Sequence, residues 1–124
     1  MKVTGVTPIL NVSDVSASLD WFEALGWERG FVWGESGFGD AEPGFASVRS
    51  GNAEVFLCRD GQGERGAWMS WFLDSRDELD AAYQRAQELG CEIVQEPRDE
   101  PWGVREFHLR HPDGHVFRVG CESA

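Results

Sequence analysis

The chain has 124 residues, the length of one ordinary domain, and its 22 acidic and 11 basic residues give a net charge of −11. That charge argues against nucleic acid as a partner, because phosphate binding requires a basic surface, whereas it would attract a cationic small molecule. No apolar run approaches the length of a membrane span, and residues 1–5 lack the apolar core of a signal peptide. We therefore expect a cytoplasmic protein without a nucleic acid or membrane partner.

The first half of the chain predicts a strand, a helix and three further strands. Ser13-Asp14 supplies a helix N-cap, and Gly26 supplies the C-cap. A glycine-rich loop over 34–44 carries Phe38 in its middle. Apolar spacing and turn residues place the other elements as follows: a first strand over 6–12, an amphipathic helix from Val15 to Leu25, a strand over 27–33, and a hairpin of two strands over 45–49 and 53–59.

The second half repeats this plan. Ser75 and Glu78 have the spacing of a capping box, and Gly90 ends the helix that follows. The remaining elements are a strand over 67–73, a helix face from Leu79 to Leu89, a strand over 91–95, a loop with Pro97 and Pro101, and a hairpin over 104–120 built on the turn His111-Pro112-Asp113-Gly114.

The two halves correspond closely enough to predict an internal repeat. Leu25-Gly26-Trp27 corresponds to Leu89-Gly90-Cys91, and each half cannot cover both faces of its own sheet. Pairing two halves lets the helices cover the outer faces while the inner faces curve around a cleft. The predicted class is α+β, with two paired βαβββ modules in one domain: 1–124 overall, module one over 1–60, a linker over 60–66 and module two over 67–124.

Short motifs are spread along nearly the whole chain. They include Pro8 to Val15, Trp21-Phe22, Leu25-Gly26-Trp27, Asp77-Glu78-Leu79, Pro101-Trp102-Gly103, Arg105-Glu106-Phe107 and Pro112-Asp113-Gly114. In this order and spacing they resemble the motifs of the vicinal oxygen chelate superfamily, which includes glyoxalases, bleomycin resistance proteins and dioxygenases. The chain is most similar to the bleomycin resistance branch, whose members bind drugs. That resemblance implies a homodimer with ligand grooves at the subunit interface, often with an exchanged N-terminal strand.

The same resemblance argues against a metal centre. Metal-dependent relatives place His or Glu on the first, fourth, fifth and eighth strands, which correspond to Thr7, Glu54, the Trp68–Trp71 segment and Arg118. A single carboxylate does not hold a divalent ion, and a cation at 118 would repel one. We therefore expect no metal and no other cofactor.

Three histidines and three cysteines are the alternative candidates for metal ligands. His108, His111 and His115 do not lie on a predicted helix, so the geometry of helical zinc motifs does not apply. We interpret them as two strand histidines and one turn histidine, with His108 and His115 at most pairing across the hairpin. Cys58, Cys91 and Cys121 are widely spaced, which argues against a disulfide framework or a zinc knuckle.

No residue set argues for catalysis. Ser47 and Ser70 lack an adjacent base, and the glycine-rich loop lacks the lysine of a phosphate cradle. Six Trp and eight Phe instead suggest a stacking site for a flat ligand, although Phe45 and Trp71 serve a sheet core equally well. The resemblance places Cys58 at a small polar position of the drug site. The predicted ligand-binding residues are Phe31, Trp33, Phe38, Phe45, Cys58, Trp68, Trp71, Trp102, His108 and Arg118.

The sequence thus predicts metal-independent binding and sequestration of a flat cationic small molecule, with a bleomycin-type antibiotic as the specific expectation. The competing class is a metal-dependent enzyme, either a glyoxalase-like lyase or isomerase or an extradiol-type dioxygenase. That class requires at least three inward-facing His or Glu ligands.

Overall fold

The computed structural model describes residues 1–34 and 42–123, which form a first unit, Met1–Arg65, and a second unit, Gly66–Ala124. The predicted α+β class and the repeated βαβββ order are confirmed. In chain order the elements are β1 (Ile9–Val12), α1 (Val15–Ala24), β2 (Glu28–Trp33), β3 (Phe45–Ser50), β4 (Ala53–Arg59), β5 (Trp68–Phe72), α2 (Arg76–Glu88), β6 (Glu92–Asp99), β7 (Val104–Arg110) and β8 (Val116–Glu122).

Each unit builds one four-stranded sheet with the same topology. The strand order is β1-β4-β3-β2 in the first sheet and β5-β8-β7-β6 in the second. In both sheets the opening strand runs parallel to its neighbour, β1 beside β4 and β5 beside β8, while the other pairs are antiparallel. The internal repeat seen in the sequence is therefore a repeat of topology.

Each helix packs on one face of its own sheet. Helix α1 contacts β2, β3 and β4, and α2 contacts β6, β7 and β8. Since side chains alternate between the two faces of a strand, Phe107 and Leu109 share one face of β7 and are both buried. The buried apolar residues of the second unit are Leu79, Ala86, Phe107, Leu109, Val116, Phe117, Val119 and Cys121.

Side-chain caps begin both helices. The Asp14 carboxylate accepts a hydrogen bond from the Ala17 amide at 2.9 Å, as predicted. The Ser75 hydroxyl accepts one from the Glu78 amide at 3.1 Å, and the Glu78 carboxylate accepts the amide of Asp74, again at 3.1 Å. These bonds satisfy amides that no helical carbonyl can reach.

The C-terminal caps lie one residue earlier than predicted. The cap residues are Leu25 and Leu89, and the glycines follow them with φ of +101° at Gly26 and +72° at Gly90. Glycine is needed there because the chain leaves the helix through the left-handed region. Among the described residues, neither helix combines the length and hydrophobicity that crossing a membrane requires.

Two strand boundaries differ from the prediction because of proline. Strand β1 begins at Ile9 instead of residue 6, since Pro8 has no N–H to donate to a ladder, although its carbonyl accepts the amide of Phe56. Strand β6 continues through Pro97, which was expected in a loop. It tolerates the proline because it is an edge strand whose register against β7 shifts between Gln95 and Arg98.

The pairing of His108 with His115 that the sequence allowed does not form, and only one of the two expected strand histidines lies on a strand. Within the hairpin, His108 lies opposite Arg118, whereas the His111 amide donates to the carbonyl of His115 at 2.8 Å. The strands end at Arg110 and restart at Val116, so one histidine lies on a strand and the other two flank the turn. Counting the pairs outward from the turn gives this register.

A close backbone approach at Gly30 yields a testable consequence. Strand β2 bulges between Arg29 and Val32, where the Ser47 hydroxyl accepts the Phe31 amide at 3.1 Å. A Cβ added at Gly30 would lie 2.0 Å from Ser47 Oγ. Gly30→Ala should therefore lower the free energy of unfolding by about 1–3 kcal/mol, measured by urea titration. In the Ser47→Ala background, Gly30→Ala should cost less stability than it costs in the wild type, because the clashing hydroxyl is absent. An equal loss of stability in the two backgrounds would contradict the steric explanation.

Candidate functional site

The face of the second sheet that points away from α2 carries a group of polar and aromatic side chains. Alternation along β7 sends Phe107 toward the helix and sends Glu106 and His108 to the opposite face. On β8 the same alternation places Arg118 beside them, directly across from His108. We call Trp68, Trp102, Glu106, His108 and Arg118 the Arg118 site.

A tight turn between β6 and β7 holds Trp102 at the edge of this site. The amide of Gly103 donates to the carbonyl of Glu100 at 3.2 Å, and the amide of Glu100 donates to the carbonyl of Val104 at 2.7 Å. Proline at position 101 suits the first corner of such a turn, because its φ is fixed. The Trp102 side chain consequently projects outward and is 60 % exposed.

An ion pair forms the centre of the site. Arg118 donates from Nε and Nη2 to Glu106 Oε1 at 3.2 and 2.8 Å, and from Nη2 to Oε2 at 3.1 Å. His108 Nε2 also lies 3.1 Å from Glu106 Oε1. The carboxylate is almost fully buried, while the guanidinium is about one-third exposed and lies 5.9 Å from the centre of the Trp102 ring, at the limit of a cation–π contact.

A second buried carboxylate lies next to the first. Glu100 Oε1 accepts hydrogen bonds from Arg98 Nε at 2.6 Å and from Gln95 Nε2 at 3.1 Å. The bond from Arg98 lowers the pKa of Glu100 and outweighs burial, which raises it. Glu100 is therefore ionised at neutral pH.

These side chains border two shallow depressions that share Trp102, Glu106 and Arg118. One has a volume of about 190 Å³ and extends toward Ser70 and Phe72. The other has a volume of about 220 Å³ and extends toward Trp68 and Arg98. Each is smaller than the roughly 300 Å³ that a drug-sized pocket usually occupies.

The structure separates the two tryptophans predicted on β5. Trp68 is 58 % exposed and meets the His108 ring edge-on at 5.8 Å, so it belongs to the Arg118 site. The Trp71 ring stacks on the buried Phe117 ring at 4.2 Å, on the face that meets α2. Trp71 is therefore a core residue, which is one of the two alternatives that the sequence left open, although it also reaches the rim of one depression.

The predicted residues of the first unit gather on one face of its sheet. Phe31 stacks on Phe45 with ring centres 5.6 Å apart, and Phe56 packs against both rings. In the strand register, Phe45 faces Trp33 on one side and Cys58 on the other. Phe56 was missing from the predicted set, and Phe38 lies outside the described residues.

The positions at which relatives bind metal do not form a ligand set. Arg118 is fixed by Glu106 and brings a positive charge to the eighth strand, and Glu54 pairs with Arg49 at 2.8 Å in the first unit. Within residues 1–34 and 42–123, no three His, Cys, Asp or Glu side chains are grouped so as to hold an ion.

The sequence prediction missed two carboxylates, Glu106 in the Arg118 site and Glu100 on the border of the same depression. Glu106 was noted only within a motif, and Glu100 was not singled out. Counting the hairpin register outward from the Pro-Asp-Gly turn pairs residue 108 with 118 and 106 with 120, which brings Glu106 beside Arg118. No such count reveals Glu100, because the register of β6 shifts twice before it.

Comparison with known proteins identifies a family. The model of the "Glyoxalase/Bleomycin resistance protein/Dioxygenase superfamily" matches residues 4–119. No curated protein matches the chain significantly.

Solved structures share the fold over nearly the whole chain. TioX from Micromonospora sp. ML1 has 21% identity and a TM-score of 0.78, with 95% of this chain and 99% of that chain covered. A superfamily member from Sphaerobacter thermophilus DSM 20745 has 25% identity and a TM-score of 0.72, covering 97% and 98%. A bleomycin-binding protein complexed with bleomycin has 19% identity and a TM-score of 0.72, covering 98% and 100%.

Proposed function

This chain belongs to the glyoxalase/bleomycin resistance protein/dioxygenase superfamily, and from that premise we propose that it binds and sequesters a flat cationic small molecule without a metal and without catalysis. The specific candidate is a bleomycin-type antibiotic, bound by a homodimer in the cytoplasm. The superfamily contains both enzymes and binding proteins, so the choice between them rests on the residues of the site.

The observation that carries the proposal is the pair of outward-facing indole rings, Trp68 and Trp102, which border the same depression. More than half of each side chain is exposed, and Phe72 nearby is 82 % exposed. Exposed aromatic groups that cluster in this way favour a flat partner, since each stacked pair contributes about 0.5–1.5 kcal/mol.

Charge supports a cationic ligand at long range. The net charge of −11 produces an attractive field for a cation approaching the protein. Within the site itself, Glu100 and Glu106 are each bonded to an arginine, so the local charge is nearly balanced. Aromatic contact, rather than local charge, is therefore expected to supply most of the affinity.

The size of the site supports a dimer. A ligand as large as bleomycin exceeds the depressions of about 190 and 220 Å³, so it needs further walls. We propose that the second subunit of a homodimer supplies this additional contact surface. The surface would be the aromatic face of its first unit, where Phe31, Phe45 and Phe56 are in contact. Trp33 and Cys58 border that face and remain part of the proposed ligand set.

Tryptophan fluorescence tests the proposal directly. Bleomycin should quench the emission and saturate at one or two drugs per dimer, because the indoles of the site are exposed. Trp102→Ala should weaken binding about tenfold, as expected for the loss of one stacked ring. Trp21→Phe is the matched control, since Trp21 packs on Phe22 in helix α1, and it should bind normally. An unchanged emission up to high micromolar drug would overturn the specific assignment.

The competing enzyme class has its own test. Elemental analysis of the purified protein should give substoichiometric zinc, iron and manganese, because the four family positions do not supply a ligand set. One equivalent of any of these metals, together with loss of the metal on replacing Glu54, would favour the glyoxalase-like or dioxygenase reading over sequestration.

A further inference from the structure

Arg118 keeps hydrogen-bond donors available in the Arg118 site, whereas the Glu106 carboxylate is already bonded. Both oxygens of Glu106 already accept bonds from Arg118, and one of them also contacts His108. Arg118 uses Nε and Nη2 for that carboxylate, while its Nη1 makes no hydrogen bond to any residue in 1–34 or 42–123. The guanidinium therefore approaches Glu106 side-on and keeps two N–H groups available.

The neighbouring ion pair, Arg98 with Glu100, also leaves hydrogen-bond donors available. Arg98 binds Glu100 through Nε, and the rest of its guanidinium is unbonded among the described residues while its side chain is 62% exposed. Glu100 is only 4% exposed, so a ligand meets the arginine and hardly meets the carboxylate. Although the protein is strongly acidic, the two arginines offer spare donors to this depression, while both of its carboxylates are buried and already bonded.

We infer that Arg118 binds an oxygen acceptor attached directly to the flat part of the ligand, a carboxylate or a carboxamide. Hydrogen bonds from a charged guanidinium N–H to such oxygens are about twice as strong as those between neutral groups. Trp68 and Trp102 border the same depression, so the ring and its oxygen meet the protein together.

This inference rests on the proposed function and narrows its ligand class. A simple flat cation would bring further positive charge next to Arg118 and Arg98. The two carboxylates nearby, Glu106 and Glu100, are already bonded to these arginines. The flat end of the ligand should consequently be neutral or anionic and carry the oxygen, and any cationic group should lie elsewhere in the molecule.

Three small probes that share the naphthalene ring system separate these possibilities: 2-naphthoate, 2-naphthamide and 2-naphthylmethylammonium. Dissociation constants should be measured at neutral pH by tryptophan quenching and by calorimetry. We expect naphthoate and naphthamide to bind at least about tenfold more tightly than the ammonium probe, in spite of the acidic protein. Naphthoate binding ahead of naphthamide identifies a carboxylate as the favoured group, and the reverse order identifies a carbonyl. Equal binding of all three probes, or preference for the ammonium, would overturn the inference.

Variants assign that preference to Arg118. Arg118→Gln should reduce the ratio between naphthoate and the ammonium probe to within about twofold. The single variant leaves Glu106 buried without its partner and could therefore disturb the fold. The Glu106→Gln/Arg118→Gln double variant avoids this by placing two amides where the two charges were, so the same ratio is measured in it as well. Arg110→Gln is the matched control, since Arg110 lies on the neighbouring strand β7 and pairs with Glu92 outside the depressions. A ratio that survives in both the single and the double variant rules out Arg118.

The outcomes distinguish the inference from the function on which it rests. Saturable bleomycin binding without any preference among the naphthyl probes would leave sequestration standing and remove the role of Arg118. An Arg118-dependent preference without bleomycin binding would keep the oxygen-binding role and remove the drug assignment.

Discussion

Replacing Arg118 with alanine should lower the free energy of unfolding by about 2–3 kcal/mol. The reason is the burial of its partner: the Glu106 side chain is 6% exposed and loses three hydrogen bonds when the guanidinium is removed. Breaking a fully buried ion pair costs about 3–5 kcal/mol, and the partial exposure of Arg118 reduces that amount. Urea unfolding followed by circular dichroism measures the change.

Two comparisons show whether the stranded charge is responsible. The Glu106→Gln/Arg118→Gln double variant should lie within about 1 kcal/mol of the wild type, because a pair of neutral amides leaves no buried charge. Arg110→Ala, which breaks the exposed pair with Glu92, should change stability by less than about 1 kcal/mol. If Arg118→Ala is no more destabilising than Arg110→Ala, the ion pair contributes nothing beyond a surface contact.

Acidification should destabilise the protein through His111. Its side chain is 1% exposed, and burial lowers its pKa to about 4, although Asp113 opposes that shift and His115 adds to it. A histidine exposed in an unfolded chain has its ordinary pKa of about 6.5. Between those values only the unfolded state takes up the proton, so stability falls as the pH falls. The loss reaches about 2 kcal/mol at pH 5 and about 3 kcal/mol below pH 4.

The His111→Asn variant isolates this effect. His111 Nδ1 accepts the amide of Asp113 at 3.0 Å, and an asparagine oxygen accepts the same amide in an Asx turn. The variant should therefore keep the turn but lose the titration. Urea unfolding at about pH 7.5 and about pH 5 should show a loss for the wild type that exceeds the loss for the variant by about 2 kcal/mol. Equal losses, or a His111 pKa near 6.5 by NMR, would contradict the prediction.

Periodicity and turn chemistry were enough to predict most of the fold. Apolar spacing located both helices, and the capping signals at Ser13-Asp14 and at Ser75 located their beginnings. The exceptions come from interactions that depend on the neighbouring strand. Pro97 interrupts a strand pattern locally, yet it is accommodated because β6 lies at the sheet edge. An edge position is a property of the whole sheet and is not visible in a local window.

The candidate site was predictable where one strand determines it and not where several strands meet. Trp102 was expected to face a ligand because of its turn, and it does project outward. Trp71 was ambiguous because both faces of β5 carry aromatic rings, and only packing on Phe117 distinguishes them. Glu106 was missed because its importance comes from Arg118 on the next strand. Charge pairs across a hairpin become predictable once the register is counted from the turn.

Strand β6, one of the two edge strands of the second sheet, also limits how copies of this chain can associate. Its ladder is interrupted by Pro97 and by register shifts on both sides of Gln95. An exposed edge normally offers regularly spaced amides and carbonyls that invite an incoming strand, whereas a proline and bulges break that spacing. Strand addition at β6, and the edge-to-edge aggregation that it would seed, are therefore disfavoured. Self-association has to use a sheet face or one of the other edges.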